Sequence, residues 1–201
     1  DLALGISNWI PFELGIRGAA LDLKRFDDFA EAIAPFSPGA FLPLTVGDQV
    51  FGFPETQDFY VLFYREDILE SLNIPLPDTW EDVIAILPEL QRYGMNVYAP
   101  IAGASGTKPF TVTAPFIYQA GGDVFGDDAF ETGIDSAESL AGIRLMTDLF
   151  KIYGLSMQVP NFFEHFRNGT MPLGISNFTT YVQMQVAAPE LAGAWKIAPA
   201  P

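Results

Sequence analysis

An α/β architecture, with helices covering a sheet, is what this sequence predicts, and three observations carry the prediction. Segments rich in β-formers and segments with helical periodicity alternate along most of the chain. Hydrophobic residues make up 49% and charged residues 17%, the balance of a packed globular protein and not of a disordered one. Gly and Pro, 18 and 16 of them, fall mainly between the periodic segments. At 201 residues the chain fits one large domain or two small ones.

Taken in order, Asp1 to Ser7 reads as a short buried strand, which implies further chain before it in the native protein. The following loop, Asn8-Trp9-Ile10-Pro11, cannot continue that strand, and the small residues of 16–23 suit a tight turn or short helix. Phe26, Phe29, Ala30 and Ile33 recur at helical spacing, and breakers follow from Pro35 to Gly39. Val46 to Phe51 predicts a hairpin turning on Gly47-Asp48 into a strand over Val50 to Phe53. Tyr60 to Tyr64, apolar on both faces, predicts a buried strand, and Ile68, Leu69 and Leu72 a short helix after it.

Thr79 with Asp82 three residues on forms a capping box in which Asp replaces Glu. Trp80, Val83, Ile84, Leu87 and Leu90 then share one helical face, and Gly94 closes it. Pro88 inside this helix predicts a kink or a break, because an interior Pro removes one backbone bond and costs about 3 kcal/mol. Val97 to Ile101 reads as a strand, Pro109 to Ala120 as a buried helix ended by Gly121-Gly122, and 123–128 as a loop or hairpin. Asp135, with Glu138 three residues later, predicts the cap of a long helix running to Gly154. A shorter helix carries Phe162, His165 and Phe166, Met171 to Ser176 reads as a strand, and Tyr181 to Val186 as helical. Trp195 to Ala198 is the last strand.

Composition excludes several functions. Ten Lys plus Arg against 25 Asp plus Glu leave a charge of −15, and the few basic residues do not cluster, so nucleic acid and anionic membrane surfaces are not expected partners. The absence of Cys rules out disulfides and thiolate metal sites while leaving the compartment open. The longest uncharged run, Asn168 to Pro189, carries Asn, Gly, Pro, Ser, Thr and Gln throughout and cannot span a bilayer as a helix. No metal or cofactor site is expected. The Asp residues of 123–128 miss the ligand order of a calcium loop, and His165 has no companion at ligand spacing. Gly103 to Lys108 lacks the ending of a phosphate loop, and the two Asn-x-Thr sequons, at Asn168 and Asn177, are common by chance.

Two constellations remain. Glu55 and Asp58 could pair as catalytic carboxylates. In extended chain, however, residues three apart point to opposite faces, about 10 Å apart, so they cannot flank one bond. Glu55-Thr56-Gln57-Asp58 also lacks the Gly or Asn of a tight hairpin and reads instead as a polar crossing between two strands. The second constellation is Trp9, Asp58, Phe110, Phe178 and Tyr181, all at predicted strand ends or helix starts, where α/β folds place their ligands. Aromatic faces would cover the apolar face of a sugar, with Asn8, Gln57, Asp58 and Asn177 engaging its hydroxyls. Any one of these aromatics is about equally well read as core.

Three stretches carry a family resemblance. FGFPETQDFYVLFYREDILESLNIPLPDTWEDVIAIL from Phe51, FIYQAGGDVF from Phe116 and FRNGTMPLGISNFTTY from Phe166 resemble, in order, motifs of the extracellular solute-binding proteins of ABC importers. The likeness is to the sugar-binding group that includes the maltose/maltodextrin-binding proteins, and it covers nearly the whole chain. It implies a type II periplasmic-binding-protein-like fold of two α/β lobes closing on a ligand without chemistry. Here that means a partial first lobe over 1–56, most of a second lobe over 57–201 and a crossing near 54–60.

It implies that Asn8 and Trp9 contact ligand from the first lobe and that Asp58 is an acidic sugar ligand. Phe110 or Thr111, and the loop Asn177 to Tyr181 with Phe178, fall where the second lobe supplies stacking. Thr179 stands near where some relatives carry Trp. The implied protein is a sugar or oligosaccharide receptor outside the cell membrane, tethered to its outer face, delivering ligand to importer subunits. A ligand sensor, or a hydrolase using Glu55 and Asp58, is the alternative. The chain is short for this family, so a fragment is expected, exposing apolar surface and forming a non-native dimer.

Overall fold

A computed structural model describes residues 2–7, 9–55, 59–100, 108–126, 128, 130–157, 159 and 161–201, with the side chains of 108–111 excepted. The chain divides into two compact units, Asp1–Asp58 and Phe59–Pro201.

In the first unit, helix α1 spans Trp9–Ile16 and α2 spans Phe29–Ile33. A 3-10 stretch over Pro38–Leu44 leads into a hairpin of β1, Thr45–Val46, and β2, Gln49–Val50. The hairpin turns on Gly47 and Asp48 as the sequence predicts; Gly47 has φ +56°, a left-handed value that glycine adopts without a Cβ clash. The second strand stops at Val50, short of the expected Phe53. The Asp22 carboxylate accepts from the amides of Lys24 and Val50, both at 3.1 Å, tying an early turn to the hairpin. Phe29, Phe36, Phe41 and Phe53 form an aromatic cluster with centroids 5.7–6.1 Å apart.

Two expectations fail in this unit. Residues 2–7 form no strand, and Leu2 and Leu4 are 85% and 77% exposed. An apolar run becomes a strand only where a neighbour completes its hydrogen-bond ladder, and among the described residues these have none. The presumed loop at Asn8–Pro11 is instead the start of α1 from Trp9 onward. Pro11 is tolerated there because the first-turn amides have no partner within the helix.

The second unit is built on a four-stranded sheet of β3, Tyr60–Arg65; β4, Val97–Tyr98; β5, Leu173–Asn177; and β6, Trp195–Ala198, in the order β4-β5-β3-β6. Strand β3 is antiparallel to β5, with Tyr60 opposite Asn177, and to β6, with Leu62 opposite Ala198, while β4 runs parallel to β5. Helices cover both faces. Leu62, Leu173 and Ile175 pack with α3 (Glu66–Ser71), α4 (Trp80–Arg92), α5 (Lys108–Gln119) and α6 (Ala137–Lys151). Phe63 packs on the other face with α7 (Phe162–Arg167) and α8 (Thr179–Ala187). The doubly apolar Tyr60–Tyr64 run is therefore the buried strand it was read to be, with Leu62 and Phe63 at 1% and 0% exposure on opposite faces.

The capping box of α4 forms as read. The Thr79 hydroxyl accepts from the Asp82 amide at 3.2 Å, and the Asp82 carboxylate accepts from the Thr79 amide at 3.1 Å. Pro88 does not break this helix. It lies on the exposed face, opposite the buried Trp80, Val83, Leu87 and Leu90 that hold the helix to the core. The cap of α6 is Ser136 and not Asp135. The Ser136 hydroxyl accepts from the Ser139 amide at 3.2 Å and donates to the Ser139 hydroxyl at 2.8 Å. The buried Ser139 hydroxyl in turn lies 3.0 Å from the Asp123 carbonyl and 2.7 Å from that of Gly133, which sets the register of the helix start. Strand β4 is shorter than expected: Pro100 is outside it, and Ile101 lies outside the described residues. No helix of the described residues is long and apolar enough to cross a membrane.

Two contacts set stability. Helices α5 and α6 approach so closely that a Cβ on Gly142 would lie 2.2 Å from the Phe116 carbonyl oxygen. Arg65, almost fully buried, binds the Asp67 carboxylate through two nitrogens at 2.8 and 2.6 Å and donates to the Phe166 and Arg167 carbonyls at the end of α7, both at 3.2 Å. The hydrogen bonds from Arg65 hold the Asp67 carboxyl below its ordinary value. Gly142→Ala should destabilise the protein by about 2 kcal/mol or more in denaturant titration, although Ala is favoured over Gly by about 1 kcal/mol inside a helix. Because the folded-state pKa of Asp67 is depressed, its contribution is present above the ordinary aspartate range and is lost as pH falls through the folded value. Asp67→Asn should therefore flatten the acid limb of a stability–pH curve below about pH 4, and an unchanged acid limb would refute this linkage.

Candidate functional site

The antiparallel setting of β3 brings its amino end to the same sheet edge as the carboxyl ends of β4, β5 and β6. Open α/β sheets bind ligands outside such an edge. Here β3 starts beside Asn177, the last residue of β5, and the Phe178 amide donates to the Phe59 carbonyl at 2.9 Å. The chain turns at Phe178 directly into α8, so Phe178 and Tyr181 stand three residues apart on one helical face.

Three rings result in one ladder. Phe59 stacks on Phe178 with centroids 5.1 Å apart and planes at 20°, and Phe178 stacks on Tyr181 at 5.3 Å and 7°. Trp195 of β6 meets the far end edge-on, 5.4 Å from Tyr181 at 69°. Phe59 is 53% exposed, and Phe178 and Tyr181 are half-buried. Beneath the ladder the Thr180 hydroxyl donates to the Asn177 side-chain oxygen at 3.2 Å and lies 2.8 Å from the Ser176 hydroxyl. These bonds hold the turn that presents the rings. Tyr98, on β4, stacks on Phe162 at 4.6 Å, and burial first, then neighbouring Tyr60, push its hydroxyl pKa up. The edge thus offers flat, polarisable faces beside amide and hydroxyl groups, suited to holding an apolar ring face rimmed by hydroxyls.

Of the residues singled out in the sequence, the structure brings Asn177, Phe178 and Tyr181 together. Trp9 opens α1 in the other unit, with an exposed ring. Asn8, Gln57 and Asp58 lie outside the described residues, as do the side chains of Phe110 and Thr111 in the first turn of α5. Sequence reasoning missed Phe59. It directly precedes the predicted strand, opposite Phe178, and that pairing could be read only with β3 and β5 in register.

Glu55, the other half of the carboxylate pair, accepts the Gly5 amide at 3.0 Å. Asp123 and Asp128 accept amides of their own turns, at 2.6 and 3.2 Å and at 3.0 Å, and among the described residues no cluster of acidic or His side chains could hold a metal. His165 pairs through Nδ1 with the Thr170 hydroxyl at 3.0 Å, in keeping with its place on the α7 face. The Gly103–Thr107 loop lies outside the described residues.

Comparison with known proteins locates this architecture. The model of the family described as bacterial extracellular solute-binding protein matches residues 17–201. An uncharacterized ABC transporter extracellular-binding protein from Pyrococcus horikoshii is 32% identical over 117 residues, 57% of this chain and 27% of that protein. The maltose-bound T. maritima MalE3 structure superposes with a TM-score of 0.78 at 21% identity, over 95% of this chain and 50% of its own. A solute-binding protein from Thermotoga lettingae bound with α-D-tagatose matches at TM-score 0.74 and 23% identity, covering 96% and 52%. UgpB from Mycobacterium tuberculosis, in complex with glycerophosphocholine, matches at 0.74 and 14%, covering 96% and 49%. The chain thus spans about half the length of the solved structures it matches and shares their type II periplasmic-binding-protein fold. With the family model matched over residues 17–201, this chain belongs to the bacterial extracellular solute-binding protein family.

Proposed function

We propose that this chain is part of the receptor component of an ABC importer, capturing a sugar or oligosaccharide and delivering it to the importer's membrane subunits. It works extracellularly or in the periplasm, tethered to the outer face of the cell membrane, and carries out no reaction. Family membership and relatives solved with tagatose and maltose support this reading. The single observation that carries it is the ladder Phe59–Phe178–Tyr181 at the sheet edge where such folds take their ligands.

In this reading residues 1–56 belong to a first lobe and 57–201 to a second, joined by a crossing near 54–60. Asn8, Trp9, Gln57, Asp58, Phe110 and Thr111 complete the site that Asn177, Phe178 and Tyr181 begin. Binding stabilises the closed form of the receptor by population shift.

A melting screen of the intact protein against mono- and oligosaccharides tests the proposal. Ligand at about 100 times its dissociation constant should add roughly 2.7 kcal/mol of stability. Phe178→Ala should weaken binding of the stabilising sugar about tenfold or more in calorimetric titration, the loss of about 1.4 kcal/mol of stacking. Asp58→Asn should lower affinity, with no turnover of any sugar by either protein. A flat response to every sugar, with stabilisation by peptides or polyamines, would overturn the assignment.

A further inference from the structure

The rings of the ladder are not equivalent. Phe178 is the middle one, with Phe59 stacked on it at 5.1 Å and 20° and Tyr181 stacked on it at 5.3 Å and 7°. Tyr181 is held between Phe178 and Trp195, whose ring lies 5.4 Å away at 69°. Phe178 could take a sugar ring face-on only by losing one of its stacking neighbours. Both inner rings are half-buried, whereas Phe59, at the end of the ladder, keeps 53% of its surface exposed at the sheet edge.

The backbone fixes Phe59 in that place. Its carbonyl accepts the Phe178 amide at 2.9 Å, and Tyr60, the next residue, lies opposite Asn177 in the β3–β5 register. One hydrogen bond and one ring contact thus join the same two residues. Tyr181 backs Phe178 from three residues along α8, whose first turn is pinned by the Thr180 hydroxyl on the Asn177 side-chain oxygen at 3.2 Å. A ring supported in this way has few orientations open to it and loses little freedom when a ligand packs against it.

Resting on the receptor reading, we propose that Phe59 is the ring against which a bound sugar lays its apolar face, and that Phe178 and Tyr181 act through Phe59 as positioning residues. The C–H groups on one face of a pyranose are drawn to the negative face of an aromatic ring, and the sugar's hydroxyl rim then meets the polar groups of the same edge. Removing the contact ring and removing its support therefore have different signatures.

Calorimetric titration and proton NMR of the sugar test this on the intact protein, with D-glucose, D-galactose, maltose and cellobiose as probes. Protons that lie over an aromatic face are shifted upfield, so C–H signals of the bound sugar should move upfield. Phe59→Leu should abolish that shift and weaken binding about tenfold or more. Phe59→Trp, a broader ring at the same place, should tighten binding about threefold. Phe178→Leu should weaken binding while the upfield shift persists at saturation, and Phe178→Trp should bring no gain. Should Phe178→Leu fail to melt cooperatively, Tyr181→Leu makes the same comparison. Affinity that stays within about twofold in Phe59→Leu, or an upfield shift that survives it, overturns the inference and leaves the receptor assignment intact. Tightening by Phe178→Trp equal to that by Phe59→Trp overturns it as well. No binding by any of the probes also overturns it, and the receptor assignment then rests on the wider melting screen alone.

Discussion

Strand β3 is apolar on both faces, and the second unit is arranged around that fact. A strand with Leu62 on one side and Phe63 on the other cannot sit at a solvent face, so both sides of the sheet must be covered. The chain after β3 supplies that cover in two sets, α4 to α6 against Leu62 and α7 with α8 against Phe63. The same strand pairs with β5 over Tyr60–Tyr64 and with β6 over Leu62–Arg65, so its middle is closed on both edges. Its antiparallel sense collects the strand ends that form the candidate site on one edge.

Arg65 links this strand to the helices beyond it. Its guanidinium ends β3, grips Asp67 in the first turn of α3 and caps the carbonyl end of α7. One planar, permanently charged group thereby ties β3 and the α3 that follows it to α7, about a hundred residues on, a task lysine's single ammonium could not match in geometry. The close approach of α5 and α6 at Gly142 is the complementary constraint, since any side chain there would displace Phe116 from the wall of the core.

Consecutive residues of a strand point to opposite faces, so Phe59 and Tyr60 serve different sides of the same sheet edge. The depression of about 420 Å³ along α8 and β6 shares Tyr181 and Trp195 with the end of the ladder, but it follows the strand edge away from Phe59 and Tyr60.

The elements legible in the sequence were those set by local chemistry. The capping box at Thr79 and Asp82, the Gly47 turn, the two-faced Tyr60–Tyr64 run and the alternation of strands and helices all act over a few residues, and each was read correctly. Asn177, Phe178 and Tyr181 were legible for the same reason, lying within one turn at a strand end. Where a distant partner decides, the sequence misled. Residues 2–7 found no ladder among the described residues, Pro11 entered a first turn, Pro88 was carried by packing on the far side of its helix, and Ser139's bonds to Asp123 and Gly133 moved a cap from Asp135 to Ser136. Phe59 joins the ladder only because β3 and β5, far apart in the chain, pair in the register that sets Tyr60 opposite Asn177. The sequence by itself determined the fold class and the short-range parts of the candidate site, because periodicity, caps and turns are written in neighbouring residues. Tertiary structure alone decided which rings stack and how closely α5 and α6 approach, because strand register and helix packing depend on groups that meet only when the chain is folded.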